Sequence, residues 1–311
     1  MSGPLAIGVD VGGTHLRAGL VGADGRIGPL VRRPSEVAAA GPLVAAVAAA
    51  VAELDATAGR PLPVGLGVAG LVDRTGTLRY GPNVGVRDAP LGDLLTTALA
   101  GRRVRVVNDA SAAVVGEHRA GAARGHDDVV LLTLGTGVGG GVIVDGRLLT
   151  GAHGFAGELG HLVIAEHGRD APSGIPGTVE AYTSGTAIAR EADEAVAAGR
   201  DGARRADAPA VVAAAAAGEQ WAADVLTTVG ERLGIAVASV VAVVDPSIVV
   251  IGGGAGDAAA PFLLPAARRA FAAHLLGADH RPQAALVPAL LGDDAGLIGA
   301  GLLAADVDHP A

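Results

Sequence analysis

The chain of 311 residues contains no cysteine and no lysine, so all 23 of its basic residues are arginine. The lack of cysteine excludes disulfides, thiolate nucleophiles and cysteine-ligated metals. The lack of lysine excludes a Walker A phosphate loop, the protein-kinase fold and Schiff-base chemistry. Any phosphate chemistry must therefore use backbone amides, hydroxyl groups, arginine and a metal ion.

Long hydrophobic runs and positive charge are also scarce. The most apolar stretch, residues 233–244, is shorter than the ~20 residues that a membrane span needs, and Glu231, Arg232 and Asp245 flank it. The N-terminal sequence MSGPLAIGVD lacks the cationic segment of a signal peptide. A net charge of −9 argues against a nucleic-acid surface. We expect a cytoplasmic protein with no nucleic-acid and no membrane partner.

Apolar strand patterns alternate with alanine-rich helix patterns, which favours an α/β fold. The order of strand, glycine turn, strand, Asp-Gly turn and strand in the first 32 residues returns at 129–149, which indicates an internal duplication. We predict a smaller N-terminal α/β domain, residues 1–118, joined by a C-terminal helix at 295–311. Residues 119–294 then form a larger α/β domain.

Three glycine-rich turns follow predicted strands. The first runs from Asp10 through Gly12 and Gly13 to Thr14, and the second covers 135–141. Both turns fit phosphate cradles, although each alone also fits an ordinary hairpin. In the first turn Asp10 would face Mg²⁺ and Thr14 would donate its hydroxyl group. The equivalent places of the two turns in a duplicated unit favour a nucleotide. The third turn, 252–254, fits either a flat ring lying on the backbone or a plain strand-to-helix turn.

Polar side chains at the ends of apolar runs are candidates for catalysis and sugar binding. Asp109 follows a strand and can act as a general base or as the N-cap of the next helix. The only asparagines are Asn108, beside it, and Asn83. Carboxylate and imidazole groups suit the vicinal hydroxyls of a sugar, although each of these side chains could also be an ordinary surface residue. The candidate sugar ligands are Asn83, Asn108, Asp109, Glu158, His161 and Glu180.

Seven segments in register resemble the ROK family of bacterial sugar kinases and repressors, especially its glucokinases. The match runs from residue 5 to about 303. The segments are DVGGT at 10–14, VAGLVD at 68–73, NDA at 108–110, LGTGVGGG at 134–141, GELGH at 157–161, VEAYTSG at 179–185 and DPSIVVIGGG at 245–254.

The resemblance implies an α/β protein of the actin-like/hexokinase fold, with two duplicated ribonuclease-H-like domains and an interdomain cleft. It implies ATP, Mg²⁺ and transfer of a phosphoryl group to the 6-hydroxyl of a hexose, with Asp109 as general base. It assigns Asn108, Glu158, His161 and Glu180 to sugar hydroxyls and Gly253 to the adenosine. The residues that it assigns to phosphates and Mg²⁺ are Asp10, Gly12, Gly13, Thr14, Thr136 and Gly137.

The chain departs from the family at the zinc site that ROK glucokinases usually carry. Their zinc is held by one histidine and three cysteines, and the histidine also touches the sugar. Here His161 keeps its place, whereas Ala171, Ser173 and Thr178 occupy the cysteine positions. We therefore expect no structural zinc. In this interpretation the prolines at 172 and 176 restrain the loop.

Two further questions stay open at this stage. The family also contains sugar-sensing repressors, but these carry a DNA-binding segment of ~80 residues before the first phosphate motif, and here Asp10 opens that motif almost at once. A non-catalytic sugar-binding protein is a third alternative, which the retained Asp109 disfavours.

Glucose is the family's default substrate. The lost cysteines and the composition also suit an amino sugar such as kanosamine (3-amino-3-deoxyglucose) or a C7-cyclitol. The family is often dimeric, so a homodimer is expected.

Overall fold

The computed structural model describes residues 5–35 and 39–306, which form three sheets with helices packed on them. The elements of the first part of the chain are β1 (Ala6–Val11), β2 (His15–Val21), β3 (Ile27–Pro34), α1 (Ala40–Ala58), β4 (Val64–Val68), β5 (Leu71–Val72), β6 (Leu78–Gly81), β7 (Val86–Ala89), α2 (Leu91–Ala98), β8 (Val104–Asn108) and α3 (Asp109–Ala120).

The remaining elements follow in the second part of the chain. They are β9 (Val129–Leu134), β10 (Val138–Val144), β11 (Arg147–Leu148), α4 (Val179–Thr183), α5 (Gly185–Ala197), α6 (Ala208–Ala216), α7 (Gln220–Val244), β12 (Ile248–Gly252), α8 (Gly254–His274), β13 (Ala285–Pro288) and α9 (Ala295–Ala305). The predicted helix at 295–311 is thus present to Ala305, and residues 307–311 lie outside the described part.

The two large sheets repeat one strand order, as the internal duplication predicts. The first runs β3-β2-β1-β4-β8 and the second β11-β10-β9-β12-β13. In the first sheet β1 and β2 are antiparallel, whereas β4 is parallel to both β1 and β8. In the second sheet β12 is likewise parallel to β9 and β13. The carboxyl ends of the parallel strands therefore share one edge in each sheet.

The chain divides into two compact units that are not continuous in sequence. The first unit holds Met1–Gly125, Gly141–Gly157 and Asp293–Ala311, and the second holds His126–Gly140 and Glu158–Gly292. The C-terminal helix α9 therefore belongs with the N-terminal part of the chain. The predicted domain boundaries, 1–118 and 119–294, stay a prediction.

Small residues let α9 approach the first sheet and α3 very closely. A Cβ atom on Gly8 of β1 would lie 2.0 Å from the carbonyl oxygen of Leu297. One on Gly299 would lie 1.8 Å from the carbonyl oxygen of Ala112 in α3. Only glycine leaves room for such backbone contact. This packing fixes where α9 begins, which matters for the site below.

Within the described residues, α1 and α7 are long and apolar enough to cross a membrane by length and composition alone. Half of the most apolar window of α7 is buried inside the structure, and Gly230 and Gly234 pack it against the backbone of α8. A core helix meets the same criterion, so these two helices are weak evidence for a membrane span.

Candidate active site

In the first unit, Asp10 and Asp109 stand at the carboxyl edge of the sheet. Asp10 lies near the end of β1, which is parallel to β4, and Asp109 directly follows β8, the next strand. The start of α9 reaches both, because a Cβ on Gly296 would lie 3.4 Å from Oδ1 of Asp10 and 3.8 Å from the carbonyl oxygen of Asp109. The sheet and α9 thus bring two carboxylates together.

Burial raises the pKa of both carboxyl groups, and repulsion from neighbouring carboxylates adds to the rise at Asp10. Burial, with the negative charges of Asp109 and Asp293, raises the pKa of Asp10 to about 7, and the positive charge of Arg17 acts against this rise. Burial also raises the pKa of Asp109, and hydrogen bonds from neighbouring groups offset part of the effect. A carboxylate with a raised pKa is a stronger base, as proton abstraction requires.

Asn108, and not Asp109, caps helix α3. Its side-chain oxygen accepts a hydrogen bond from the backbone N–H of Ser111 at 2.9 Å, and its Nδ2 donates to the carbonyl oxygen of Gly70 at 3.1 Å. Asp109 is already the first helical residue, and its Oδ1 accepts from the backbone N–H of Ala110 at 2.9 Å. The capping role that the sequence also allowed for Asp109 is therefore filled by its neighbour.

Arg17 is a member of this cluster that the sequence analysis missed. It lies in β2 directly opposite Asp10, and its Nη1 donates to the carbonyl oxygen of Asp293 at 2.6 Å. Its Nη2 is ion-paired with Asp294, the residue before α9. The acidic partners of Arg17 lie about 277 residues further along the chain, so no local pattern indicates the ion pair. The sequence places Arg17 only in the strand after the DVGGT turn.

The first glycine turn lies between β1 and β2 and is open. Gly13 and Thr14 are exposed, and the Thr14 hydroxyl is 2.9 Å from Nδ1 of His15. A Cβ on Gly13 would lie 2.9 Å from the carbonyl oxygen of Asn83, which is in a short 3₁₀ helix of the same unit. Gly12 donates its backbone N–H to the carbonyl oxygen of His15 at 3.1 Å. Asn83 is thus brought beside the predicted phosphate turn.

In the second unit, Glu180 lies over the second glycine turn. Its Oε2 accepts a hydrogen bond from the backbone N–H of Val138 at 3.1 Å, and a Cβ on Gly137 would lie 2.3 Å from the same oxygen. Gly137 therefore lacks a side chain where this carboxylate needs space. Two residues singled out separately in the sequence belong to one local arrangement.

Thr136 and Gly253 lie at the ends of neighbouring strands of the second sheet. Thr136 is exposed between β9 and β10, and its carbonyl oxygen accepts from the hydroxyl of Thr186 at 2.9 Å. Gly253 joins β12 to α8 with a φ of 81°, and a Cβ there would lie 2.7 Å from the carbonyl oxygen of Leu134. Both lie at the carboxyl edge of parallel strands β9 and β12, and their assignment to a nucleotide stays a prediction.

His161 and Glu158 are neighbours, but the surrounding residues do not fit a structural zinc. Nε2 of His161 lies 3.7 Å from Oε2 of Glu158. Nδ1 of His161 and the hydroxyl of Thr178 are buried, and neither has a hydrogen-bond partner in the part of the chain that the structure describes. Ala171 has no donor atom and Ser173 is exposed. A tetrahedral site needs four nitrogen, sulfur or carboxylate ligands, and residues 5–35 and 39–306 contain no group of three or more His, Cys, Asp or Glu side chains placed to hold a metal.

Comparison with known proteins links this arrangement to sugar phosphorylation. Residues 6–307 match the ROK family. The chain is 35% identical to a glucokinase of Streptomyces coelicolor over 317 residues, which cover 98% of each chain. It is 33% identical to an N-acetylmannosamine kinase of Escherichia coli over 312 residues, which cover 96% of this chain and 97% of the other.

Solved structures agree with the sequence comparison. A ROK family glucokinase from Streptomyces griseus, determined with glucose and AMPPNP, matches 96% of this chain and 98% of its own with 36% identity and a TM-score of 0.81. A ROK family transcriptional regulator, homologous to the MLC protein of E. coli, matches 96% of this chain and 77% of its own with 27% identity and a TM-score of 0.84. The predicted actin-like/hexokinase α/β fold is confirmed.

Proposed function

The chain belongs to the ROK family and is a glucokinase-like sugar kinase, and from this premise we propose its reaction. It transfers the γ-phosphoryl group of ATP to the 6-hydroxyl of glucose or of a glucose-like amino sugar such as kanosamine. The observation that carries the proposal is the place of Asp109, a half-buried carboxylate that directly follows β8 at the carboxyl edge of the first sheet, while Asn108 caps helix α3.

Asp109 acts as the general base in this proposal. It takes the proton of the sugar 6-hydroxyl as that oxygen attacks the γ-phosphorus of ATP, and ADP leaves with the bridging oxygen. Burial raises the pKa of the Asp109 carboxyl group, which makes it a better proton acceptor. Positioning of the hydroxyl and removal of its proton are the contributions of the protein to such a transfer.

Asp10 and the two glycine turns bind the phosphates and the metal ion in this proposal. Mg²⁺, when bound, would offset negative charge on the phosphate oxygens. In many phosphate-binding proteins a lysine shares this role, but this chain contains no lysine. Asp10 is the carboxylate that faces the ion, and Arg17 favours its ionised form. Gly12, Gly13, Thr14, Thr136 and Gly137 present backbone and hydroxyl donors to the phosphates, and Gly253 lies under the adenosine.

In this proposal the sugar hydroxyls are bound by Asn83, Asn108, Glu158, His161 and Glu180. The Streptomyces and E. coli relatives are a glucokinase and an N-acetylmannosamine kinase, which supports a hexose with either a hydroxyl or an amino substituent. A cytoplasmic location fits a substrate pair of ATP and a free sugar.

The test is an ATP-dependent kinase assay over a panel of glucose, mannose, N-acetylglucosamine, N-acetylmannosamine and kanosamine. We expect Mg²⁺-dependent turnover of glucose or of one amino sugar, and the phosphorus–proton coupling in the product's NMR spectrum places the phosphate on the 6-position. Nucleotide binding without turnover of any sugar would contradict the proposal.

A sugar-sensing transcriptional regulator is the second candidate, because the match to a ROK regulator has a TM-score of 0.84. Proteins of this fold therefore include both kinases and regulators, and turnover of ATP distinguishes the two functions. A regulator binds a sugar without consuming ATP, whereas the kinase produces ADP in proportion to sugar phosphate.

A further inference from the structure

Five side chains of the second unit form a cluster that we call the arginine clamp: Arg169, Tyr182, Glu191, Glu194 and Arg232. The guanidinium groups of Arg169 and Arg232 lie 5.2 Å and 5.0 Å from the centre of the Tyr182 ring. Both arginines are ion-paired with Glu191, and Arg169 is also ion-paired with Glu194. The Glu191 side chain is only 9% exposed and that of Arg169 17%, so these charges are poorly screened by water.

The clamp fastens the loop at 166–178, which lies where ROK glucokinases usually carry their zinc site. The backbone N–H of Arg169 donates to the hydroxyl of Tyr182 at 3.0 Å, and the carbonyl oxygen of Arg169 accepts from the N–H of Gly177 at 2.8 Å. Arg190 adds a bond from Nη1 to the carbonyl oxygen of Asp170 at 3.1 Å. Arg169 and Asp170, near the start of the loop, are therefore bonded to α4 and α5, and the backbone bond from Gly177 joins the end of the loop to Arg169.

The same loop leads directly to the candidate sugar ligands of this unit. Tyr182 lies in the five-residue helix α4 together with Glu180, whose carboxylate fills the space over Gly137. The strand-like pairing of Val163 with Thr178 joins the loop's end to the segment that follows His161. The loop is therefore continuous with α4, which carries Glu180, and its end is paired with the segment that follows His161.

We propose that the arginine clamp replaces the metal as the device that positions His161 and Glu180 for the sugar hydroxyls. The described residues contain no group of three or more His, Cys, Asp or Glu side chains placed to hold a metal, and the clamp bonds the loop to the helices by other means. Two planar guanidinium groups stacked on one tyrosine and sharing a buried carboxylate provide it, because such groups hold a fixed geometry that lysine does not reproduce. The inference rests on the proposed sugar-kinase function.

Arg169→Ala is the first test, by steady-state kinetics. We expect KM for the sugar to rise about tenfold, while kcat and KM for ATP change less than about twofold, since positioning of the sugar ligands is lost and the phosphate turns are untouched. Arg169→Lys restores the charge without the planar fork, so its KM for the sugar should lie between those of wild type and Arg169→Ala.

Glu191→Gln is the second variant and has a matched control in the same unit. Arg204, Glu219 and Trp221 form a similar arginine–carboxylate–aromatic cluster, with Arg204 5.1 Å from the Trp221 ring. Glu219→Gln removes an equivalent charge there without touching the loop. We expect Glu191→Gln to raise KM for the sugar, and Glu219→Gln to leave it at the wild-type value.

Limited trypsin digestion supplies a measurement that does not depend on activity. Trypsin can cut this lysine-free chain only after arginine, and the clamp shields Arg169. Cleavage after Arg169 should be several-fold faster in Glu191→Gln than in wild type, and unchanged in Glu219→Gln. Mass spectrometry of the fragments identifies the site of the cut.

Each outcome decides between support and rejection. An unchanged KM for the sugar in Arg169→Ala and Glu191→Gln, or an equal rise in Glu219→Gln, overturns the proposal. So does a parallel loss of kcat and of affinity for both substrates, which would show a general role in stability. If wild type phosphorylates no hexose, the proposed function fails instead, and the cleavage rate after Arg169 still tests whether the clamp holds the loop.

Discussion

Asn108 and Asp109 are adjacent residues that divide two tasks between them. The asparagine bonds to Ser111 and Gly70 and so fixes the junction between β8 and α3. The aspartate is thereby held at the strand end without being needed as the cap. The sequence identified the pair and left open whether Asp109 was a general base or the N-cap, because aspartate is common at that position; it did not point to Asn108 as the cap.

The first prediction concerns the stability of variants at this pair. Asn108→Ala should lower the free energy of unfolding by about 1 kcal/mol or more, because the Ser111 N–H loses its acceptor. Asp109→Asn should leave it unchanged or raise it, because an amide is easier to bury than a carboxylate. Urea denaturation measures both. A loss in Asp109→Asn as large as that in Asn108→Ala would contradict the burial assigned to the Asp109 carboxylate, because asparagine caps a helix as well as aspartate does.

The second prediction concerns Asp10 and pH. Its pKa is about 7 in the folded protein and about 4 in an unfolded chain, so between these values the folded state binds the extra proton. This group therefore lowers stability as pH rises from 4 to 7, and Asp10→Asn removes that loss. In EDTA, the melting temperature of Asp10→Asn relative to wild type should be higher at pH 8 than at pH 5.

Asp201→Asn is the control for the Asp10 measurement, since Asp201 is an exposed loop residue. Its melting temperature relative to wild type should be the same at both pH values. If Asp10→Asn behaved like this control, the burial assigned to Asp10 would be wrong.

At the scale of elements, the repeated strand order was readable from the sequence, and the small sheet was not. Regular apolar alternation and Asp-Gly turns mark the hairpins of both large sheets. Strands β5, β6 and β7 are two to four residues long and contain few β-branched residues, so no periodic pattern can develop. Their pairing follows from the tertiary packing around Gly70 and Leu78, which periodicity does not report.

The arginine clamp and Arg17 illustrate the same limit for side chains. Arg17 meets Asp294, and Arg232 meets Glu191 41 residues earlier in the chain. An ion pair between distant segments leaves no local pattern in the sequence. The sequence therefore pointed only to the prolines at 172 and 176 as restraints on the loop at 166–178. Short motifs at strand ends could be recognised, because the residues that form them are close in sequence.

The third prediction tests the close packing of α9. Alanine normally stabilises a helix interior relative to glycine. Gly299→Ala should instead lower the free energy of unfolding by about 1–3 kcal/mol, because its Cβ would lie 1.8 Å from the carbonyl oxygen of Ala112. A Cβ on Gly41 in α1 would meet no described atom within 4 Å outside its chain neighbours and its own helix backbone, so Gly41→Ala should stabilise the protein by about 0.5–1 kcal/mol. Equal effects of the two variants would contradict the packing described for α9.

At the scale of the whole molecule, the chain has a glucokinase-like fold, and residues 5–35 and 39–306 contain no group of three or more His, Cys, Asp or Glu side chains placed to hold a metal. The fourth prediction is that purified protein contains far less than about one zinc per chain, because Ala171, Ser173 and Thr178 offer no good zinc ligand beside His161. Prolonged chelation followed by addition of Mg²⁺ should restore full activity. Elemental analysis that found about one zinc per chain, lost together with activity, would show a rebuilt site.

The central claim is that this chain is an ATP-dependent hexose kinase with Asp109 as its base. The most direct measurement compares kcat and sugar binding of wild type and Asp109→Asn on the best sugar of the panel, with folding checked by denaturation. We expect the kcat of Asp109→Asn to be about 10²–10⁴-fold lower than that of wild type, with the dissociation constant for the sugar nearly unchanged. A variant that bound sugar normally and kept most of its kcat would contradict it.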